Sequence, residues 1–173
     1  SLGEGPDAIS TATISGSGSA WTNSTTMVVG YSGTATLNIG AGTSVSAGNW
    51  LRIGQDETSK GTIIQTGGTV DIGTYLQFNA GTPVYRLEGG TLKVGDTSYA
   101  GIQSYTDATF DLAGGTIEAK GDSLTIYADA ALRDGTVTTL STPGSADQVM
   151  FFESILSGSC AARDDGARAL YLD

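Results

Sequence analysis

At 173 residues the chain can bury one sizeable core but not two ordinary domains. Charged residues make up only 15% and the net charge is −10; with no cluster of Lys or Arg, this disfavours nucleic acid and anionic lipid as partners. The absence of histidine removes the commonest general base, the Ser-His triad and imidazole metal ligands, and the single Cys160 leaves no internal disulfide and no cysteine-based zinc site.

Glycine is high at 26 residues and proline low at 3, with Thr and Ser plentiful. This composition points to many short strands joined by tight turns. No run of 18 apolar residues is present, so no membrane insertion is expected. The chain opens on Ser1, which reads as a mature protein or a piece of a longer one.

The first predicted coil covers residues 12–30. Thr13-Ile14-Ser15 leads into Gly16-Ser17-Gly18-Ser19, and Met27-Val28-Val29-Gly30 echoes Leu51-Arg52-Ile53-Gly54. Five Gly-Thr steps then organise the chain, at Gly42-Thr43, Gly68-Thr69, Gly90-Thr91, Gly115-Thr116 and Gly135-Thr136. They stand 26, 22, 25 and 20 residues apart, which is the length of a solenoid coil.

A triplet precedes each step: Leu37-Asn38-Ile39, Ile63-Ile64-Gln65, Tyr85-Arg86-Leu87, Phe110-Asp111-Leu112 and Ala130-Ala131-Leu132. Its outer residues are mostly apolar and its middle one is often polar, the period of a half-buried strand. After the steps come apolar Val45, Val70, Leu92, Ile117 and Val137. Polar Ser46, Asp71, Lys93, Glu118 and Thr138 follow them. A third run is Leu51-Arg52-Ile53, Leu76-Gln77-Phe78, the poorer match Ile102-Gln103, and Leu124-Thr125-Ile126.

The pattern predicts an all-β, right-handed parallel β-solenoid of about five coils, each about 20–26 residues long with three short strands. The repeats are expected over residues 1–144. A C-terminal cap or last irregular coil is expected over 145–173, with a short helix between Ala161 and Leu170. On the outside, Asp71, Lys93 and Glu118 should stack as a −, +, − ladder, and Arg86 should lie beside Asp111. Gln65 falls at an inward position and needs a hydrogen-bond partner, for which a corner carbonyl is the natural choice.

The phrase from Thr11 to Asn23, TATISGSGSAWTN, resembles the repeats of bacterial autotransporter passengers and of related surface proteins with PEP-CTERM-type sorting signals. Gly61–Val70 (GTIIQTGGTV) and Tyr85–Leu92 (YRLEGGTL) resemble the same units. The resemblance spans about residues 10–140. It implies a secreted or surface-displayed stalk or adhesin, located extracellularly, and no catalytic residues.

Trp50 and Tyr75 each precede an inward leucine, so both should point outward from adjacent coils as an aromatic strip. Tyr99, Tyr105 and Tyr127 are expected to extend it. Arg52, Gln77, Gln103 and Thr125 form a polar row beside the strip. Aromatic faces next to amide and guanidinium donors suit sugar rings, so Trp50, Arg52, Tyr75, Gln77, Gln103 and Tyr105 are the candidate glycan site. The bland alternative is an aromatic ladder that only stabilises the stack.

Loop carboxylates at Asp56, Glu57, Asp96, Asp107, Asp122, Asp129, Asp164 and Asp165 are candidate Ca²⁺ ligands, although the nonapeptide of calcium-binding β-rolls is missing. No other cofactor is expected. Asp71 and Glu118 are the pair an enzyme reading needs, but Lys93 between them reads better as a charge ladder. The single file of Thr43, Thr69, Thr91, Thr116 and Thr136 lacks the second column of an ice-binding face. Cys160 reads as a small residue of the cap, with a tether between chains as the alternative.

The function expected is therefore a non-catalytic structural and adhesive module that binds glycan or protein at a cell surface, or self-associates end to end. A polysaccharide lyase or hydrolase, or its carbohydrate-binding module, is the competing class.

Overall fold

The computed structural model describes residues 1–95, 101–121 and 123–133, and beyond them the strand segments 139–141, 149–152, 156–157, 163–164 and 170–172. The first coil holds β1 (Ile9–Ile14), β2 (Ala20–Asn23) and β3 (Met27–Val29). The second holds β4 (Thr34–Ile39), β5 (Ser44–Ala47) and β6 (Trp50–Ile53), and the third β7 (Lys60–Gln65), β8 (Thr69–Ile72) and β9 (Tyr75–Phe78). Next come β10 (Val84–Leu87), β11 (Thr91–Val94) and β12 (Gly101–Ser104), then β13 (Thr109–Leu112), β14 (Thr116–Ala119) and β15 (Ser123–Ile126). The last two rungs are β16 (Ala130–Leu132), β17 (Thr139–Ser141) and β18 (Val149–Phe152), and β19 (Leu156–Ser157), β20 (Arg163–Asp164) and β21 (Leu170–Leu172).

Every third strand joins the same sheet, which gives three parallel sheets of seven strands each. The chain is thus an all-β parallel solenoid with three strands per coil, as the alternation predicts. The count of rungs exceeds the expected five, because the N-terminal coil of β1 to β3 and a last rung of β19 to β21, paired parallel in the 145–173 region, add to it. Where a short helix is expected, Arg163–Asp164 and Leu170–Leu172 are strands. Among the described residues no helix is long and apolar enough to cross a membrane.

The core is a stack of columns. Leu37, Ile63, Tyr85, Phe110 and Ala130 lie in register in the first sheet, and all are buried. Val45, Val70, Leu92 and Ile117 do the same in the second sheet. Leu51, Leu76 and Ile102 do so in the third. Large rings from two sheets meet in the middle: the Phe110 centroid is 5.6 Å from that of Phe78 and 6.0 Å from that of Tyr85, the latter edge-on.

Glycines close the corner between the first two sheets. Gly68, Gly90 and Gly115 have φ of +67°, +78° and +74°, and a Cβ on Gly90 would lie 2.3 Å from the Gly68 carbonyl oxygen. Only a residue without a side chain fits both that dihedral and that separation. The same corner explains two departures from the expected repeat. Ser44, not Thr43, pairs with Thr69, and Thr43 is buried with its hydroxyl donating to the Gly40 carbonyl at 2.7 Å. At the other end Thr116, Ile117 and Glu118 pair with Thr139, Leu140 and Ser141, where the repeat pattern expects Thr136, Val137 and Thr138. Thr136 and its neighbours 134–138 lie outside the described residues. The outward file therefore reads Ser44, Thr69, Thr91 and Thr116, and Thr139 is the next residue in register.

Gln65 is fully buried, as its place in the repeat requires. Its Nε2 donates to the carbonyls of Gly68 (3.3 Å) and Thr91 (3.1 Å). Its Oε1 accepts from the Tyr85 hydroxyl at 2.6 Å, a partner the repeat pattern did not disclose. Burial pushes the Tyr85 phenol far above its ordinary pKa. Tyr85→Phe leaves Gln65 Oε1 without its donor and should cost about 1–3 kcal/mol in urea unfolding. With Gln65→Leu added, the pair should cost less than the two single losses together. Because the phenol ionises only after unfolding, wild-type stability should also fall as pH rises above about 10, and the gap to Tyr85→Phe should narrow there.

Candidate functional site

Strand alternation places Trp50 and Tyr75 on the outer surface of the third sheet, half-buried and directly paired in register. Their rings are tilted by 55° with centroids 6.4 Å apart. The strip then stops, because the next residue in that column is Gly101. Tyr99 lies outside the described residues.

The polar row forms as expected as far as Gln103. Arg52 donates through Nε and Nη2 to Gln77 Oε1 at 3.2 and 3.1 Å, and through Nη1 to Gln55 Oε1 at 2.7 Å. Gln77 Nε2 passes the ladder on to Gln103 Oε1 at 3.2 Å, and the Tyr105 hydroxyl donates to that same oxygen at 2.8 Å. Arg52 also lies over the Trp50 ring, 5.1 Å from its centroid. The guanidinium thus covers the aromatic face that a sugar ring needs and spends three of its five N–H donors on the scaffold. Gln77, only 7% exposed, has both ends of its amide engaged.

The row's expected last member, Thr125, is in a different column. β15 meets β12 with Gly101 opposite Thr125 and Ile102 opposite Ile126. Continued by one residue, that register sets Tyr127 beside Gln103, and the Tyr127 amide donates to the Ile102 carbonyl at 2.7 Å. Tyr127 Cε2 reaches within 3.8 Å of where a Cβ on Gly101 would stand. Tyr105 and Tyr127 therefore sit at the end of the amide row and are 64% and 47% exposed, and they do not continue the Trp50–Tyr75 column.

The charge ladder has the predicted register, with Lys93 between Asp71 and Glu118. Lys93 Nζ lies 2.8 Å from Glu118 Oε1, while Asp71 takes Lys120 instead, at 2.7 Å. In the first sheet Asp111 is shared by Arg86 at 3.7 Å and Arg133. Neither Asp71 nor Glu118 is left as an unopposed carboxylate.

Among the described residues no three acidic or thiol side chains gather where they would hold a metal ion. Asp56 accepts from the Ser32 hydroxyl at 2.5 Å. Asp96, Asp122, Asp165 and Cys160 lie outside the described residues, as does the side chain of Asp164. Comparison with protein-family models, curated proteins and solved structures found no match for this chain.

Arg52 should thus act as a brace. In a Trp21→Phe background, Arg52→Ala should make Trp50 fluorescence more accessible to acrylamide and cost about 1–2 kcal/mol in urea unfolding.

Proposed function

We propose that this chain is a non-catalytic structural and adhesive module of an extracellular or cell-surface protein. As a rigid solenoid it presents its outer sheets to glycans or proteins, or to further copies of itself.

The observation that carries this reading is that the outward rows are committed to the scaffold. Asp71, Glu118 and Asp111 are each held by a cation, and Arg52, Gln77 and Gln103 hold one another. Hydrolysis of a polysaccharide needs two carboxyl groups held beside a cleft in different environments, and a lyase needs a basic residue free to take a proton. A row of mutually satisfied side chains supplies stiffness and a regular display surface instead. The acidic, lysine-poor composition and the likeness of the repeats to autotransporter passengers support an extracellular setting.

The test pairs turnover with retention. Incubated with acidic and neutral polysaccharides, the purified chain should release no new reducing ends and no unsaturated uronates. A labelled chain should be retained on intact bacterial or host cells, and Asp71→Asn and Glu118→Gln should leave that retention unchanged. Turnover that disappears in either variant would make the protein a polysaccharide-active enzyme and end the adhesive reading.

A further inference from the structure

Among the described residues, the outer rows are less fully committed at the corner that follows β12. There Tyr105 and Tyr127 are 64% and 47% exposed. The core does not need them: the buried positions around them are filled by Ile102, Ile126 and Ala128. Three open depressions meet at this corner. One of about 280 Å³ lies between Gln103, Ser104, Tyr105 and Tyr127. A second of about 180 Å³ runs from Tyr127 to Asp107 and Asp129. The third, about 360 Å³, reaches from Tyr105 to Glu57 and Asn79.

The polar groups at this corner are held in place. Gln103 Oε1 accepts from both Gln77 and Tyr105, so its amide cannot turn without losing two bonds. Gln103 itself lines the first depression, and its Nε2 carries two N–H donors. Asp107 adds a carboxylate acceptor. Exposed ring faces, a fixed amide donor and carboxylate acceptors are the groups that a pyranose engages, through its C–H face and its hydroxyls.

Charge narrows the class further. Glu57 and Asp107 line the depressions and no Lys or Arg is among their described lining residues, so uronates, sialylated chains and phosphorylated sugars are repelled. We infer that the Tyr105–Tyr127 corner is a surface subsite for neutral, hexose-based oligosaccharides. The inference rests on the adhesive reading and names its ligand class, and it moves the site away from the Trp50 ring that Arg52 covers.

The test is a calorimetric titration with neutral gluco- and manno-oligosaccharides against oligouronates of equal length. The wild-type chain should bind a neutral series and not the uronates. Tyr105→Ala and Tyr127→Ala should each weaken binding by about tenfold or more. Trp50→Ala should leave binding unchanged. Far-UV circular dichroism and melting checked on every variant separate lost binding from lost fold; both tyrosines are exposed, so their variants should keep it. Neutral-sugar binding that survives both tyrosine variants would overturn this subsite. Failure of every neutral series to bind, or preference for uronates, would overturn the ligand class. In those cases the cell-retention experiment still decides the adhesive reading independently.

Discussion

Parallel stacking sets each residue about 4.8 Å from its counterpart in the next coil, and that repetition governs the molecule. A side chain in a solenoid has its nearest neighbours above and below, in the same column, and they share its exposure. Inward columns must therefore be apolar at every rung, as Val45, Val70, Leu92 and Ile117 are. A single polar residue inside must find its partners within one or two rungs. Gln65 does so with a corner carbonyl, a strand carbonyl and the Tyr85 hydroxyl from the next coil.

Outside, the same constraint turns unlike side chains into partners. Like charges stacked directly over one another repel, whereas Lys93 above Asp71 and below Glu118 does not. Each such pair is partly exposed and individually weak, worth about 0–1 kcal/mol. Their effect on function is larger than their effect on stability. A carboxylate held by Lys120 or Arg86, or an amide held by Arg52, has little left to offer a ligand.

Much of this was legible in the sequence, because the period of two fixes which residues face in. The five triplets from Leu37-Asn38-Ile39 to Ala130-Ala131-Leu132 pair as their alternation requires. What alternation cannot detect is an even slip. Ile102 pairs with Ile126 where the pattern suggests Leu124, and a two-residue shift keeps every side chain on its own face. The sequence therefore assigned Thr125 to the amide row, a place that belongs to Tyr127. The Gly-Thr landmark misleads differently: Thr43 and Thr69 share a motif but not a rung, since the earlier corner is one residue longer. Nor does periodicity reveal that Arg52 turns onto Trp50, because face assignment says nothing of which neighbour on that face a long side chain chooses.

The even slip falls at one location, between β12 and β15. A perfectly repeating solenoid satisfies its own surface and leaves a ligand no better place on one rung than on the next. A register slip breaks that equivalence. It places Tyr127 beside Gln103, one rung beyond the glycine that ends the ring column. The slip costs little inside, since Ile126 and Ala128 remain fully buried. An even slip in a parallel stack is thus a low-cost way to make one rung unlike the next on a uniform scaffold, without disturbing the columns that hold the scaffold together.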